Sequence, residues 1–334
     1  MQTLTRRTTL AALACAPLAG WTQAAPRLDR ITVAGWSKPI TEITPLLVEE
    51  DKGFYKAHGI DLRFVPGAGS ADAIRNILSG QADVAFADPG SFFAALDKGE
   101  KLRAIYDIYP QNVFNVVSLK GSNITKPADL KGRKIGVYSL ASGTRQALQV
   151  LLHSAGLSEA DVTVVVTGLL NFAPLMQGQV DATAATDTGL LIGRRRGLPE
   201  VNVMEVGKVL PVSSDLFVVR EEVYHARRAA LQRFLRGYRD AAAWMIAQPQ
   251  EAAQLAVKRA IDGTDAALNL EIIKLRNAAS VSDLTRRNGL GAVDVASLQA
   301  AADTYRKLGL IDKPLDVAKA VSQDLLPGRR GEPG

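Results

Sequence analysis

The sequence predicts an α/β protein of two similar lobes, each a doubly wound parallel sheet with helices on both faces. Short apolar runs alternate with helical patterns from Ile31 onward, which is typical of βα units. A second, similar series starts near Ser122, and the later apolar run Leu216–Arg220 can rejoin the first sheet. The two connections, near Asn115–Gly121 and Leu210–Phe217, therefore predict a hinge that the chain crosses twice.

The first series contains four predicted strands. These are Ile31–Trp36, Ile60–Val65, Ala82–Ala87 and Leu102–Ile108. Between the first two, the segment Pro45–Gly59 can place apolar side chains on one side and charged ones on the other, which predicts a single amphipathic helix. Gly59 is placed to end this helix in the left-handed conformation. Further helices are predicted at Ala71–Ser79 and Phe92–Lys98.

The second series repeats this organisation, and a helical region follows it. The predicted strands are Lys134–Tyr138, Val162–Val166, Val180–Thr186 and Val201–Val206, with helices at Arg145–Ala155 and near Phe172–Gln177. The helices predicted after Val223 are Arg227–Ile246, Gln250–Ala260, Ala266–Ala278 and Val293–Leu308. The first lobe is thus expected to comprise residues 25–117 and 214–326, and the second residues 118–213. The Pro/Gly/Arg-rich tail, residues 327–334, is predicted to be disordered.

Residues 1–24 are predicted to be a cleavable signal peptide. Arg6 and Arg7 precede the apolar run Leu10–Gly20, and small residues at Thr22–Ala24 allow cleavage before Ala25. The apolar run is too short to span a bilayer. Both the Sec and the twin-arginine export routes remain open, because the arginine pair lacks the Phe that usually follows it. The sequence predicts a periplasmic protein.

Composition narrows the classes of function. The net charge of +6 over 334 residues comes from scattered Lys and Arg that alternate with acids, so a nucleic-acid-binding surface is not expected. The single cysteine, Cys15, lies in the leader, where Ala12–Ala14 match a lipoprotein signal poorly. After cleavage the protein has no cysteine for a disulfide, a thiol nucleophile or a thiolate metal site. A soluble monomer is expected.

The candidate ligand-binding residues lie in the turns that follow the predicted strands. In parallel sheets ligands bind at the carboxyl ends of strands, next to helix N-termini with free backbone N–H groups. Gly permits close approach, and Ser and Thr add hydroxyl groups. The same residue types are ordinary helix N-caps, so each turn alone has two interpretations. The candidates in these turns are Trp36, Lys38, Gly69, Ser70, Asp88, Ser91, Ser139, Ser142, Gly143, Thr144, Asn171 and Asp187.

Three further candidates lie near the hinge. They are Tyr109, Asn112 and Asp215. The candidate aspartates can bind an amino group or a ring N–H of a ligand, or they can cap helices and pair with arginines. Trp36 can stack on a flat ligand or pack beneath a loop.

Signals of catalysis are weak. His58, His153 and His225 lie on predicted helices without metal-ligand spacing. The sequence contains no G-x-S-x-G elbow, no H-E-x-x-H motif and no Walker loop. Neither a metal nor a cofactor is predicted.

Five stretches resemble periplasmic solute-binding proteins of ABC importers, and are most similar to the nitrate/sulfonate/taurine and thiamine-pyrimidine-precursor type. In the first lobe they are Glu49–Leu62, Gly67–Asp72 and Gly80–Ala85. In the second lobe they are Lys126–Val137 and Gly178–Ala182. The resemblance implies a type II periplasmic-binding-protein fold that closes on a small molecule and delivers it to an inner-membrane ABC permease. It also implies that the turns named above contact the ligand.

The resemblance spans Ile31 to Val321 but does not name the ligand, because pocket residues differ among members of this group. A small polar or anionic molecule of the sulfonate, taurine, nitrate or aminopyrimidine type is expected, and an aromatic carboxylate is an alternative. Another alternative is an exported enzyme related to thiamine-pyrimidine synthesis, although the related eukaryotic enzymes carry a Cys-rich motif that this sequence lacks. The effector domain of a transcription regulator shares the fold, but here an export leader occupies the place of its DNA-binding helices.

Overall fold

The computed structural model describes residues 28–170 and 172–326, which form two five-stranded sheets. The first sheet has the order β2-β1-β3-β10-β4 and the second the order β7-β6-β8-β5-β9. The first contains β1 (Asp29–Ala34), β2 (Ile60–Val65), β3 (Val84–Ala87), β4 (Leu102–Tyr109) and β10 (Asp215–Arg220). The second contains β5 (Phe114–Leu119), β6 (Lys134–Val137), β7 (Thr163–Val166), β8 (Ala182–Thr186) and β9 (Val201–Glu205). The predicted leader and tail lie outside the described residues.

Helices cover both sheets. Those of the first series are α1 (Thr44–Leu47), α2 (Glu49–Lys52), α3 (Ser70–Leu78) and α4 (Pro89–Asp97). Those of the second series are α5 (Gly143–Ser154), α6 (Ala173–Met176) and α7 (Asp187–Arg195). The C-terminal helices are α8 (Glu221–Ala226), α9 (Arg228–Ala247), α10 (Pro249–Arg259), α11 (Ala266–Ala279), α12 (Asp283–Asn288) and α13 (Val295–Lys307). Within the described ranges, none of the helices is both long and apolar enough to cross a membrane.

Both sheets are mixed, whereas the sequence analysis expected parallel ones. β10 pairs antiparallel with β3 and β4, and β5 pairs antiparallel with β8 and β9. The reason is the hinge. The C-terminal end of β4 faces the second lobe, so the chain enters the second sheet at the end that faces the first lobe. β5 therefore runs antiparallel to its neighbours β8 and β9. β9 returns the chain to the same end, and β10 is reversed for the same reason.

The chain passes between the sheets twice, between Tyr109 and Phe114 and between Glu205 and Asp215. The predicted boundary at residues 117 and 118 divides β5, but the strand pairing places all of β5 in the second sheet. The first sheet with α1–α4 and α8–α13 is called the first lobe below. The second sheet with α5–α7 is called the second lobe.

The predicted single helix at Pro45–Gly59 is wrong. The segment forms α1, α2 and a 3-10 turn at Lys56–His58, because Gly53 adopts a left-handed conformation with φ 67° and ends α2. The carboxylate of Glu49 then accepts a hydrogen bond of 2.8 Å from the backbone N–H of Tyr55, which fixes the turn. Gly59 ends the segment with φ 73°, as predicted. The short α12 was not predicted from the sequence.

The core of the first lobe is aromatic. Phe217 of β10 packs edge-on against Tyr238 of α9, with 4.6 Å between ring centroids. Tyr55 is buried and stacks on Phe234, and its hydroxyl donates to the carbonyl of Pro45 over 3.0 Å. These contacts hold the irregular α1–α2 segment on α9. That segment carries the loop that reaches the cleft between the lobes.

Candidate functional site

A cavity of about 300 Å³ lies between the two lobes. Its lining residues come from both sheets, at the edge where β1, β6 and β8 end. The volume is at the lower end of the range for small-molecule sites, which is about 300–1,000 Å³. The position matches the rule that ligands of α/β sheets bind beyond the carboxyl ends of the strands.

Three helices begin at this cavity. α3 contributes Gly69 and Ser70, and α5 contributes Ser142 and the two residues after it. α7 contributes Thr186, whose hydroxyl caps the helix by accepting from the N–H of Gly189 over 3.2 Å. Ser142 caps α5 in the same way. Thr186 and Ser142 are therefore helix N-caps that also line the cavity, and their role in ligand binding stays a prediction.

Aromatic side chains form part of the walls. Trp36, Phe114 and Tyr138 line the cavity, and Trp36 packs edge-on against Phe86 with 6.2 Å between ring centroids. The indole N–H of Trp36 is buried and has no hydrogen-bond partner in the protein. Trp36 therefore presents both a flat face and a free donor to the cleft.

A buried arginine crosses the cavity from the first lobe. Arg276 of α11 is 1% exposed, and its guanidinium lies 3.7 Å from the carboxylate of Glu42. It also pairs with Asp187 of the second lobe and stands over the ring of Tyr109, 5.1 Å from its centroid. Its positive charge is therefore matched by two carboxylates of the protein.

Two buried carboxyl groups face the cavity with raised pKa values. Burial raises the pKa of Glu42, although the charge of Arg276 acts in the opposite direction. Burial raises the pKa of Asp215 well above its ordinary value, and the nearby carboxyl groups of Asp88, Glu42 and Asp107 add to this effect. Both groups can accept hydrogen bonds, and a carboxyl group that carries a proton can also donate one.

The lobes touch each other around the cavity, so the structure is a closed one. The N–H of Ala71 donates to the carbonyl of Ala141 over 3.0 Å. The hydroxyl of Thr188 donates to Glu42 over 2.7 Å, again from one lobe to the other. Gly69 is essential to this approach, because a Cβ there would lie 2.3 Å from the carbonyl oxygen of Ala141. Its φ of 143° also disfavours any other residue.

The structure brings seven of the predicted site residues together at the cavity. They are Trp36, Gly69, Ser70, Ser142, Gly143, Thr144 and Asp215. They come from the turns after β1, β2 and β6 and from the start of β10. That these residues bind a ligand stays a prediction.

Other predicted residues do not line the cavity. Asp88 is buried beneath it as the N-cap of α4, where it accepts from the N–H of Ser91 over 2.8 Å. Tyr109 donates to the backbone carbonyl of Glu42 over 2.9 Å, so it supports the cavity from below. Asp187 binds Arg276. These side chains are occupied by the protein itself.

Three more lie outside the lining of the cavity. Lys38 is exposed and not part of the lining. The hydroxyl of Ser139 donates to the carbonyl of Ala68 in the opposite lobe. Asn112 joins the two hinge crossings by donating to the carbonyl of Leu210 over 2.9 Å. Asn171 lies outside the described residues.

Sequence reasoning missed Glu42 and Arg276. Both lie far from any strand end in the sequence, and folding of the C-terminal helices brings α11 to the cleft. One signal was available. Arg276 continues the buried face of α11 formed by Asn269, Ile272 and Ile273, and a charged residue on such a face is uncommon without a partner. Among the residues that the structure describes, no group of three or more His, Cys, Asp or Glu side chains is arranged to hold a metal ion.

The fold is the two-lobe fold of periplasmic binding proteins. The alkanesulfonate-binding protein SsuA of Xanthomonas axonopodis pv. citri, solved with MOPS, superposes with a TM-score of 0.71 at 19% identity, covering 90% of this chain and 100% of that one. The model of the NMT1/THI5-like family matches residues 40–252, more than half of the chain. The protein belongs to this family.

Two curated relatives cover most of the chain. The riboflavin-binding protein RibY of Chloroflexus aurantiacus is 26% identical over 311 residues, 91% of this chain and 88% of that protein. A 4-amino-5-hydroxymethyl-2-methylpyrimidine phosphate synthase of Saccharomyces cerevisiae is 23% identical over 238 residues, 67% of this chain and 69% of that protein. The family therefore includes both binding proteins and proteins named as enzymes.

Proposed function

We propose that this protein is the extracytoplasmic solute-binding component of an ABC importer, and that its ligand is a flat nitrogen heterocycle of the aminopyrimidine type. One observation carries the proposal. The closed cavity combines helix N-termini, the buried carboxyl groups of Glu42 and Asp215, and aromatic side chains.

This combination favours a ligand that carries both hydrogen-bond acceptors and hydrogen-bond donors. The backbone N–H groups of Ser70, Gly143 and Thr144 at the N-termini of α3 and α5 can bind acceptors such as ring nitrogens or a hydroxymethyl oxygen. The carboxyl groups of Glu42 and Asp215 suit an exocyclic amino group or a ring N–H. Trp36 and Tyr138 offer flat faces for the ring.

The same features disfavour a purely anionic ligand. Nitrate, an alkanesulfonate or an aromatic carboxylate presents acceptors on its charged group, and the charge of Arg276 is already matched by Glu42 and Asp187. Placing such an anion next to the buried Asp215 would be repulsive whenever that carboxyl is ionised. Taurine has both an ammonium and a sulfonate group, but it is too small and too flexible to fill a cavity with aromatic walls.

The names of the two curated relatives point in the same direction. One is named for riboflavin and the other for a substituted aminopyrimidine. Both molecules contain a pyrimidine ring with a donor and acceptor edge. Either can therefore serve as a first probe for this protein.

We also propose a binding role and not a catalytic one. An enzyme of this family would need a reactive group, such as an amine or a carboxylate, next to its ligand. Lys38 does not line the cavity and Asp187 is paired with Arg276, which supports a binding role. The proposed partner is an ABC permease of the inner membrane, the proposed location is the periplasm, and the proposed state is a monomer.

A thermal-shift series tests the proposal. Protein that has been unfolded and refolded, to remove any co-purified ligand, is melted with 4-amino-5-hydroxymethyl-2-methylpyrimidine, riboflavin, taurine, methanesulfonate, nitrate and benzoate. A ligand at a hundredfold excess over its Kd stabilises the folded state by about 2.7 kcal/mol. Stabilisation by one of the two heterocycles alone is expected, and stabilisation by nitrate or methanesulfonate alone would refute the ligand class.

A further inference from the structure

We infer that Glu42 connects ligand recognition to lobe closure, with one carboxyl oxygen holding Thr188 of the opposite lobe and the other left for the ligand. The inference rests on the proposed function in one respect, that a ligand occupies the interlobe cavity. The part that concerns closure stands without any ligand and is tested separately.

The two oxygens of Glu42 have different surroundings. Oε1 accepts a hydrogen bond of 2.7 Å from the hydroxyl of Thr188, which belongs to the second lobe. Oε2 is buried and has no hydrogen-bond partner in the protein. The closest cationic group is the guanidinium of Arg276 at 3.7 Å, which is beyond hydrogen-bond distance. One oxygen of this carboxyl group is therefore committed to closure, and the other is buried and unpaired in a residue that lines the cavity.

Two other unpaired groups line the same cavity. The Nε of Arg276 and the Nε1 of Trp36 are buried donors without partners. A buried polar group without a partner is unfavourable, and most such groups in proteins are paired by water or by a ligand. One free acceptor and two free donors within one closed cavity form a set that a polar heterocycle can satisfy.

The position of Thr188 in α7 and its contact with Thr186 orient its hydroxyl group for the contact with Glu42. It is the second residue of α7, and its hydroxyl oxygen lies 2.9 Å from that of Thr186. When Thr186 donates to Thr188, the proton of Thr188 is directed at Glu42. Glu42 itself is fixed from the backbone side, because its carbonyl accepts from Tyr109. A ligand donor on Oε2 would restrict the remaining rotation of the Glu42 side chain and so favour the Thr188 contact.

The groups packed around Glu42 set its charge. Burial raises the pKa of Glu42, the positive charge of Arg276 lowers it, and the nearby carboxylate of Asp262 raises it. A glutamine at this position keeps an oxygen that can accept from Thr188, but it replaces the second oxygen with an amide donor. Glu42→Gln is therefore expected to weaken ligand binding while it keeps most of the closure contact.

Closure is measured first, without ligand. The single cysteine of the sequence is Cys15, so in protein produced from Ala25 onward spin labels at Glu100→Cys and Lys131→Cys, both exposed and in different lobes, report the interlobe distance. Thr188→Val is expected to shift the population toward the longer distance, and Thr188→Ser is expected to restore it. The matched control is Thr183→Val, which removes another buried hydroxyl of the second lobe that has no partner.

Binding of 4-amino-5-hydroxymethyl-2-methylpyrimidine and riboflavin is then measured by calorimetry. Thr188→Val is expected to reduce the affinity of the probe that binds by about tenfold, the effect of one hydrogen bond to a charged acceptor. Glu42→Gln is expected to reduce it as well, with a smaller change in the interlobe distance. If Thr188→Val and Thr183→Val give the same distance distribution, the inference is overturned. If neither probe binds the native protein, the ligand class fails, and the distance measurement still decides the role of the Glu42–Thr188 contact.

Discussion

The guanidinium of Arg276 in the first lobe pairs with the carboxylate of Asp187 in the second, across the cleft in which the candidate ligand site lies. Arg276 is 1% exposed, whereas the side chain of Asp187 is 35% exposed. The arginine of this pair is thus buried, whereas the aspartate is partly exposed to solvent. The pair can form only when the lobes are closed.

Arg276→Met is expected to destabilise the protein strongly. The substitution leaves Glu42 buried without its opposing charge, and removal of one partner of a buried pair costs about 3 kcal/mol. Urea unfolding measures the change. The control is Arg195→Met, which removes another interlobe ion pair, to Glu271, whose arginine side chain is 57% exposed. That pair is expected to contribute less than about 1 kcal/mol, so equal losses for the two variants would contradict the burial argument.

Gly69→Ala is expected to hold the lobes apart. The new Cβ would meet the carbonyl oxygen of Ala141 at 2.3 Å, and the backbone φ of 143° is also unfavourable for alanine. Small-angle X-ray scattering should show a larger radius of gyration, and ligand affinity should fall by at least about tenfold. Gly80→Ala is the control, because Gly80 has a φ of 77° but no atom within 4 Å of its Cβ position. A compact Gly69→Ala protein would contradict this prediction.

Asp215→Asn is expected to change how stability depends on pH. The raised pKa of Asp215 means that the folded state retains a proton that the unfolded chain loses near pH 4. Its stabilising effect is complete below that pH and disappears as the pH rises through the folded-state pKa. Native protein should therefore melt at a higher temperature near about pH 5 than near about pH 8, and Asp215→Asn should reduce this difference.

The control for the pH series is Asp61→Asn. A hydrogen bond from Arg30 lowers the pKa of Asp61, so its contribution is present above about pH 4 and is lost only as the pH falls below that value. Between about pH 5 and pH 8 this variant should show the same slope of melting temperature as the native protein. An Asp215→Asn variant with the native slope would show that the carboxyl of Asp215 does not titrate in this range.

Ligand binding is expected to change the fluorescence of Trp36. The chain from Ala25 onward contains two tryptophans, Trp36 in the cavity wall and Trp244, whose indole N–H donates to Glu251 over 2.9 Å. Titration of Trp244→Phe with 4-amino-5-hydroxymethyl-2-methylpyrimidine or riboflavin should give the native change in emission. Trp36→Phe should lose that change. A response that follows Trp244 would place the ligand outside the described cavity.

The sequence predicted strands better than helices in this protein. Ile60–Val65 is predicted with the same bounds that β2 has, because apolar β-branched runs are a local signal. The prediction of a single helix at Pro45–Gly59 is wrong because Gly53 also adopts a left-handed conformation and ends a helix there. The sequence pattern predicted such a residue only at Gly59. The direction of β5 and β10 depends on pairing between distant segments, so no local pattern reports it.

The residues of the candidate site likewise differ in whether a local sequence pattern predicts them. Ser70 and Ser142 were found because a turn before a helix is visible in a few consecutive residues, and both line the cavity. Asp88 has the same local pattern but faces its own helix, which only the packing decides. Glu42 and Arg276 meet because α11 folds back over the cleft, and their separation in the sequence hides the relationship.

The position of β10 has a consequence for the order of folding. β10 lies between β3 and β4, and it is made after the whole second lobe. A chain that emerges from its N-terminus onward cannot complete the first sheet before Arg220 appears, since β3 and β4 lack their shared neighbour until then. The first lobe is therefore the last to finish folding, and a nascent chain that ends before Asp215 lacks the strand that joins β3 to β4.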